Sequence, residues 1–165
     1  MGMLACYMMI DEEKIAPFEK LEGKQLVEYF QTIEEAEIFE NFDLDKLWDA
    51  LHCFCTGVSA THLIDGNPLS EAIVGKYVLS EEEFIAVSEN VDLLAIILAM
   101  KSFDFQKKKE SFDLKIFEEQ EIYPNGIWKD DEVKLLNELE REFNGLLAFY
   151  EKALNTNHHV MVSIL

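Results

Sequence analysis

The sequence predicts an α+β fold: one helix-rich domain around a small sheet in which the first and last strands pair. Three observations carry this. The chain opens and closes on apolar segments, residues 3–10 and 160–165, whose backbone groups cannot be satisfied by either segment alone. Between them, apolar residues recur at helical spacing in several stretches. No repeat, linker or shift in composition divides the 165 residues, so one domain is expected over 1–165.

Residues 3–10 are apolar at both alternating sets of positions, as in a strand covered on both faces. Asp11 begins a short acidic helix that Pro17 ends or bends. Leu26, Phe30 and Ile33 give a helix over about 24–39 its core face. Asp43 is read as the cap of the next helix and Gly57 as its close, with Leu44, Leu47, Trp48, Leu51 and Cys55 as the buried stripe. Residues 58–67 form a loop. Asn67 then caps a short helix with Pro68 at its first position, and Gly75 stops it. Residues 76–79 make a short strand, and Ser80 with Glu83 reads as a capping box opening another helix. A further helix carries 93–100. Lys107, Lys108 and Lys109 fall in a stretch without a clear period, a helix end or loop. Tyr123-Pro124-Asn125-Gly126 is a turn, since Pro fixes φ and Asn-Gly tolerates positive φ. The clearest helix runs over 131–155, burying Leu135, Leu136, Leu139, Phe143, Leu146, Leu147, Tyr150 and Leu154. Gly145 inside it marks a close approach, because glycine costs about 1 kcal/mol there against alanine.

Charge narrows the partners. Fourteen Lys and Arg against 33 Asp and Glu give −19 at pH 7, and Arg141 is the single arginine. Nucleic-acid binding draws its affinity from cations on phosphates, and anionic lipid repels the same field, so neither is an expected partner. The acidic residues are spread along the chain, which suits a solvated surface or, more sharply, steering toward a basic protein. Cys6, Cys53 and Cys55 make no disulfide-like framework and no CxxC; they read as core residues in a reducing compartment. Met3-Leu4-Ala5-Cys6 has no basic or apolar leader before it, and Cys6 stands where a myristoylation motif wants Ser or Thr. The apolar run 93–100 falls far short of the ~20 residues of a membrane helix. A cytoplasmic protein without membrane contact is expected.

Five blocks carry a family resemblance: MGMLACY at 1–7, DLDKLWDALHCFCTG at 43–57, PLSEAIVG at 68–75, IYPNGIW at 122–128 and AFY at 148–150. In this order they resemble the YfbM-like family, a bacterial group catalogued as a domain of unknown function. The resemblance implies an α+β fold with a small sheet and many helices. It implies no catalytic residue and no cofactor.

The candidate ligand- or partner-binding residues are Trp48, Asp49, His52, Thr56, Tyr123 and Trp128. On a helix over 43–57, Asp45, Asp49, His52 and Thr56 fall at spacings of four, three and four and share one stripe. A carboxylate one turn before a histidine can orient it for proton transfer or a metal. The plainer reading is a surface Asp–His pair that stabilises the helix beside a core Trp48. If exposed, His52 would titrate above its usual value; burial would reverse the sign. Cys55 with His52 as base is rejected, since a helix C-terminus disfavours a thiolate. Tyr123 and Trp128 could wall a ligand site or seal the final helix as a plug, the plainer reading. His158 and His159 alternate across faces, and His62 stands alone in a loop. No phosphate loop, zinc spacing or nucleophile elbow occurs, so no catalytic residue, metal or cofactor is assigned. The reading is therefore a non-catalytic, immunity-like binding or regulatory protein for a basic partner. The alternative is a small-molecule binder or enzyme using Asp49, His52, Tyr123 and Trp128.

Overall fold

A computed structural model describes residues 2–62, 64–129 and 131–165. Met1 of the MGMLACY block, Leu63 of the 58–67 loop and Asp130 therefore lie outside the described residues. The first strand, β1 (Ala5–Ile10), meets the last, β5 (His159–Ile164), in an antiparallel ladder from Ala5 opposite Ile164 to Ile10 opposite His159. The expected pairing of the chain's two ends is present. Three more strands complete the sheet: β2 (Asn41–Asp45), β3 (Tyr77–Ser80) and β4 (Phe84–Ser88). The order is β2-β1-β5-β4-β3, and every pairing is antiparallel.

Both faces of the central strands are covered, as their unbroken apolar sequence requires. Tyr7, Met9, Val160 and Val162 point into the larger core, while Met8, Ile10 and Met161 join a smaller one. The smaller core is closed by α2 (Gly23–Glu35) through Leu26, Phe30 and Ile33. Before it come α1 (Glu12–Ile15), capped by the Asp11 carboxylate, and a 3₁₀ turn Ala16–Lys20 that holds Pro17. The larger core is covered by α3 (Trp48–Thr56), α4 (Pro68–Val74), α5 (Asn90–Ser102), α6 (Phe105–Ser111), α7 (Lys115–Glu119) and α8 (Glu132–Asn155). Asn67 accepts from the Leu69 and Ser70 N–H groups, as its place before Pro68 predicts. The far end of α4 is satisfied from outside: the Tyr7 hydroxyl donates to the Ile73 carbonyl at 2.7 Å and the Tyr150 hydroxyl to Ala72 at 2.6 Å.

Three expectations are corrected. Asp43 caps no helix; residues 41–45 form an edge strand on β1, and the helix begins at Trp48. Asn41, Asp43 and Asp45 are exposed while Phe42 is half-buried and Leu44 buried, a period of two that competes with the helical stripe starting at Leu44. Ser80 to Glu83 open no helix either. Ser80 ends β3, Glu81 to Glu83 turn the β3–β4 hairpin, and the run Ile85-Ala86-Val87 is a strand paired on both sides. The helix expected over 24–39 stops at Glu35. The lysine run, expected at a helix end or in a loop, lies on α6 with Lys108 and Lys109 in its last turn, and the Asp104 carboxylate caps that helix.

Gly145 does mark a close approach. A Cβ built there would stand 2.8 Å from Cε2 and 3.0 Å from Cζ of the Phe42 ring, so α8 lies on β2 only because that position lacks a side chain. Gly145→Ala gains about 1 kcal/mol of helix propensity and loses roughly 1–3 kcal/mol to overpacking. The expected net is a lower urea midpoint, restored by adding Phe42→Leu. A Gly145→Ala variant more stable than the parent would show that the ring yields freely.

Candidate functional site

Helix α3 is buried along nearly its whole length, from Trp48 through Phe54. Gly57 ends it in the left-handed region, φ 88°, and turns the chain into the 58–67 loop. Asp49 is 1% exposed and His52 0%, so the expected surface pair does not form. Asp45 has left the stripe altogether, lying exposed at the end of β2.

The two buried side chains are tied to loops rather than to each other. Asp49 Oδ1 accepts from the Ser59 hydroxyl at 2.9 Å and the Ala60 N–H at 2.7 Å, and Oδ2 accepts from the Tyr123 N–H at 2.7 Å. One carboxylate thus fastens the loop after α3 and the turn before Pro124, whose peptide bond is cis. A buried carboxylate is tolerable only with such donors. His52 Nδ1 lies 2.8 Å from the Val58 carbonyl, which only accepts, so Nδ1 carries the proton. Nε2, 2.7 Å from Ser70 Oγ, then receives the serine proton. His52 is therefore a neutral tautomer clamping α3 to both the loop and α4. Burial lowers its pKa, outweighing the Val58 carbonyl and Asp49, which favour the cation. Thr56 donates to the His52 carbonyl at 2.8 Å and lies 3.2 Å from its Nδ1.

Trp48 and Tyr123 are also joined. Their rings stack with centroids 5.6 Å apart and 23° between planes, and Trp48 Nε1 donates to the Met3 carbonyl at 3.3 Å. The Tyr123 hydroxyl occupies the space a side chain on Gly2 would need. Trp128 sits apart, half-buried against the larger core, and its Nε1 has no partner among the described residues. Of the six candidates, Trp48 alone lines a cavity of about 200 Å³; Asp49, His52, Thr56, Tyr123 and Trp128 are not on its wall. Sequence reasoning missed Ser59 and Ser70, the hydroxyls that complete the two clamps. Burial first of all pushes the Cys53 thiol up to about 12 and raises Cys55 further, which disfavours a thiolate at either position.

The family described as Domain of unknown function (DUF1877) matches residues 1–163. The chain belongs to this family. Protein YfbM of Escherichia coli (strain K12) is 29% identical over 167 residues, which span 99% of each protein. The crystal structure of YfbM from Escherichia coli, described as a protein of unknown function, superposes with a TM-score of 0.81 at 29% identity, covering 99% of this chain and 100% of that one. The resemblance read from five sequence blocks holds, and the DUF1877 α+β fold is shared. No helix among the described residues is long and apolar enough to cross a membrane.

Two predictions follow from the clamps. Asp49→Asn puts an NH2 group against donors and should cost about 2–4 kcal/mol in urea unfolding, since hydrogen bonds to a buried charge are worth roughly 1.5–3 kcal/mol each; a loss below ~1 kcal/mol would mean water replaces the carboxylate. For His52 the folded pKa is depressed, so its neutral form stabilises above the unfolded value near ~6.5 and that stability drains as pH falls through the folded pKa. His52→Gln should therefore cost most near pH 8 and progressively less below pH 6. A cost that grows on acidification would contradict the neutral clamp.

Proposed function

We propose that this protein is a non-catalytic binding or regulatory protein that receives a basic protein partner at one end of its sheet, in the cytoplasm. The observation that carries the reading is an acidic groove beside an exposed apolar ridge. Beyond Met8 and Met161 the sheet face under α2 is open. There Cys6, Asn41 and Ser163 floor a groove of about 710 Å³ walled by Glu34, Asp43, Asp45 and Glu142, with no Lys or Arg in its lining. Among the described residues, Glu142 is the one of these carboxylates with a cation bonded to it, the neighbouring Arg141 at 2.9 Å. The pKa of Glu34 is raised by burial, then by Glu35 and Asp43, so the groove holds negative charge at a cost that a bound cation offsets.

The ridge consists of Met3, Leu4 and Leu165, 43%, 46% and 40% exposed, with Leu4 and Leu165 paired through their backbones. Apolar surface flanked by carboxylates on two sides, with Lys46 beside Gly2 at its edge, suits a partner of mainly opposite sign. The Cys6 thiol in the groove is pushed up to about 12 by burial and by Asp43, so it supplies no nucleophile. Three free cysteines suit a reducing cytoplasm. The alternative, a ligand or reaction site at Asp49, His52, Tyr123 and Trp128, has less support, because every oxygen and nitrogen of Asp49 and His52 is already engaged.

The test is kinetic. For a captured basic partner, the association rate should fall about tenfold between 50 and 300 mM salt while dissociation changes little. Asp43→Lys with Asp45→Lys should reproduce that fall at low salt, and Glu118→Lys with Glu119→Lys, away from the groove, should not. A partner whose on-rate ignores salt ends the reading.

A further inference from the structure

Across the sheet end from the acidic groove, behind the Met3–Leu4–Leu165 ridge, lies the cavity of about 200 Å³. Ile164 lines it while its neighbours Ser163 and Leu165 line the groove, as successive strand residues facing opposite sides must. Met3, Trp48, Ala60, Val74 and Phe84 supply the rest of its apolar wall, and the exposed Glu81 and Glu82 of the β3–β4 turn join it without any Lys or Arg. The Trp48 indole is fixed before anything binds, by the Tyr123 ring stacked on it and by its bond to the Met3 carbonyl. A fixed apolar cavity beside an exposed ridge, with unpaired carboxylates at two sides, is shaped for an anchor residue flanked by cations.

We infer that this cavity is the anchor pocket of the basic partner: it takes one apolar side chain of phenyl or leucyl size. Basic residues flanking that anchor meet Glu81 and Glu82 on one side and the groove carboxylates across the ridge on the other. This rests on the binding reading above. An acidic or neutral ligand gains nothing from the carboxylates, and an acidic one is repelled by them. The ridge makes the two hollows one surface, so a single extended segment can engage both.

The probes are acetylated, amidated pentapeptides added to the full chain: Lys-Lys-Phe-Lys-Lys, Lys-Lys-Ser-Lys-Lys and Glu-Glu-Phe-Glu-Glu. The readout is the Trp48 indole N–H resonance in a ¹⁵N spectrum, assigned with Trp128→Phe. The phenylalanine peptide should shift it saturably, the serine peptide should bind about tenfold more weakly or worse, and the acidic peptide should not bind. Thr61→Phe, an exposed lining position whose larger ring fills the cavity, should abolish the Trp48 shift and leave groove resonances such as Asp43 responsive to the serine peptide. Equal binding of the phenylalanine and serine peptides, or no Trp48 shift with either, overturns the anchor pocket. In that case a salt-sensitive response at Asp43 still upholds the acidic groove, and its absence removes both. Phenethylamine binding as tightly as the pentapeptide would assign the cavity to a free amine and overturn a protein partner there.

Discussion

The antiparallel pairing of β1 with β5 is the constraint from which the architecture follows. These strands come from opposite ends of the sequence, and β5 is the middle strand of five. The β2–β1 and β3–β4 ribbons are each joined to the other only through it. Pairing between residues so distant in sequence carries a loop-closure cost before any contact offsets it. That cost is met by burial on both faces, and burial on both faces demands helices on two sides. Hence α2 on one side, and α3, α4, α5 and α8 on the other. The 24 residues of α8 bring the chain back across the sheet to start β5, and Gly145 lets that helix settle on β2. The same pairing sets the Met3, Leu4 and Leu165 side chains at the sheet end, so the ridge is a consequence of how the two termini meet.

A second layer of order comes from polar groups placed inside the apolar helix α3. Loops cannot satisfy their own backbone donors when they are drawn against a core. Asp49 supplies the acceptors for Ala60 and Tyr123, and His52 supplies a donor for the Val58 carbonyl. A carboxylate and an imidazole one turn apart can equally well run proton transfer, so their identity and spacing decide nothing. What separates the two roles is vacancy: a catalytic pair needs a free lone pair or proton facing a substrate-sized space. Here the imidazole is kept neutral by burial and both its nitrogens are occupied.

Legibility in the sequence followed the range of the physics. Signals written within a few residues were readable: the Asn67-Pro68 start and Gly75 stop of α4, the αL glycine after α3, the period of α8, the two-faced apolar strands at the ends. Misreadings fell where two local patterns coexist and a distant neighbour chooses between them. Leu44 belongs to a helical stripe and to a strand alternation at once, and the unpaired edge of β1 selects the strand. Ser80 and Glu83 spell a capping box, yet β5 needs a second partner and takes 84–88. The candidate site shows the same limit. Asp49 and His52 were legible as a pair, but Ser59, Ala60, Ser70 and the Tyr123 N–H, which turn a surface pair into buried clamps, arrive from three other segments. The acidic groove was invisible for that reason, since Glu34, Asp43, Asp45 and Glu142 come from α2, β2 and α8.

Under the proposed function the charge of −19 would have a use that composition alone could not give it. Self-repulsion on this scale weakens the compact state, and spread evenly it would do no more than keep the protein in solution. Around an exposed apolar ridge it does something further. Bare, such a ridge would invite a second copy of the same chain to cover it, because identical apolar patches are complementary. Flanked by Glu34, Asp43, Asp45, Glu81 and Glu82, with Lys46 the cation beside Gly2, the ridge would face an approaching copy largely with like charge on like charge, a contact penalised before any apolar surface is buried. The basic partner proposed above would meet the reverse: attraction at distance, then burial at contact. On the proposed reading the carboxylates would disfavour the chain's own copies and acidic proteins while leaving the apolar surface available, which is how one surface could be both exposed and selective.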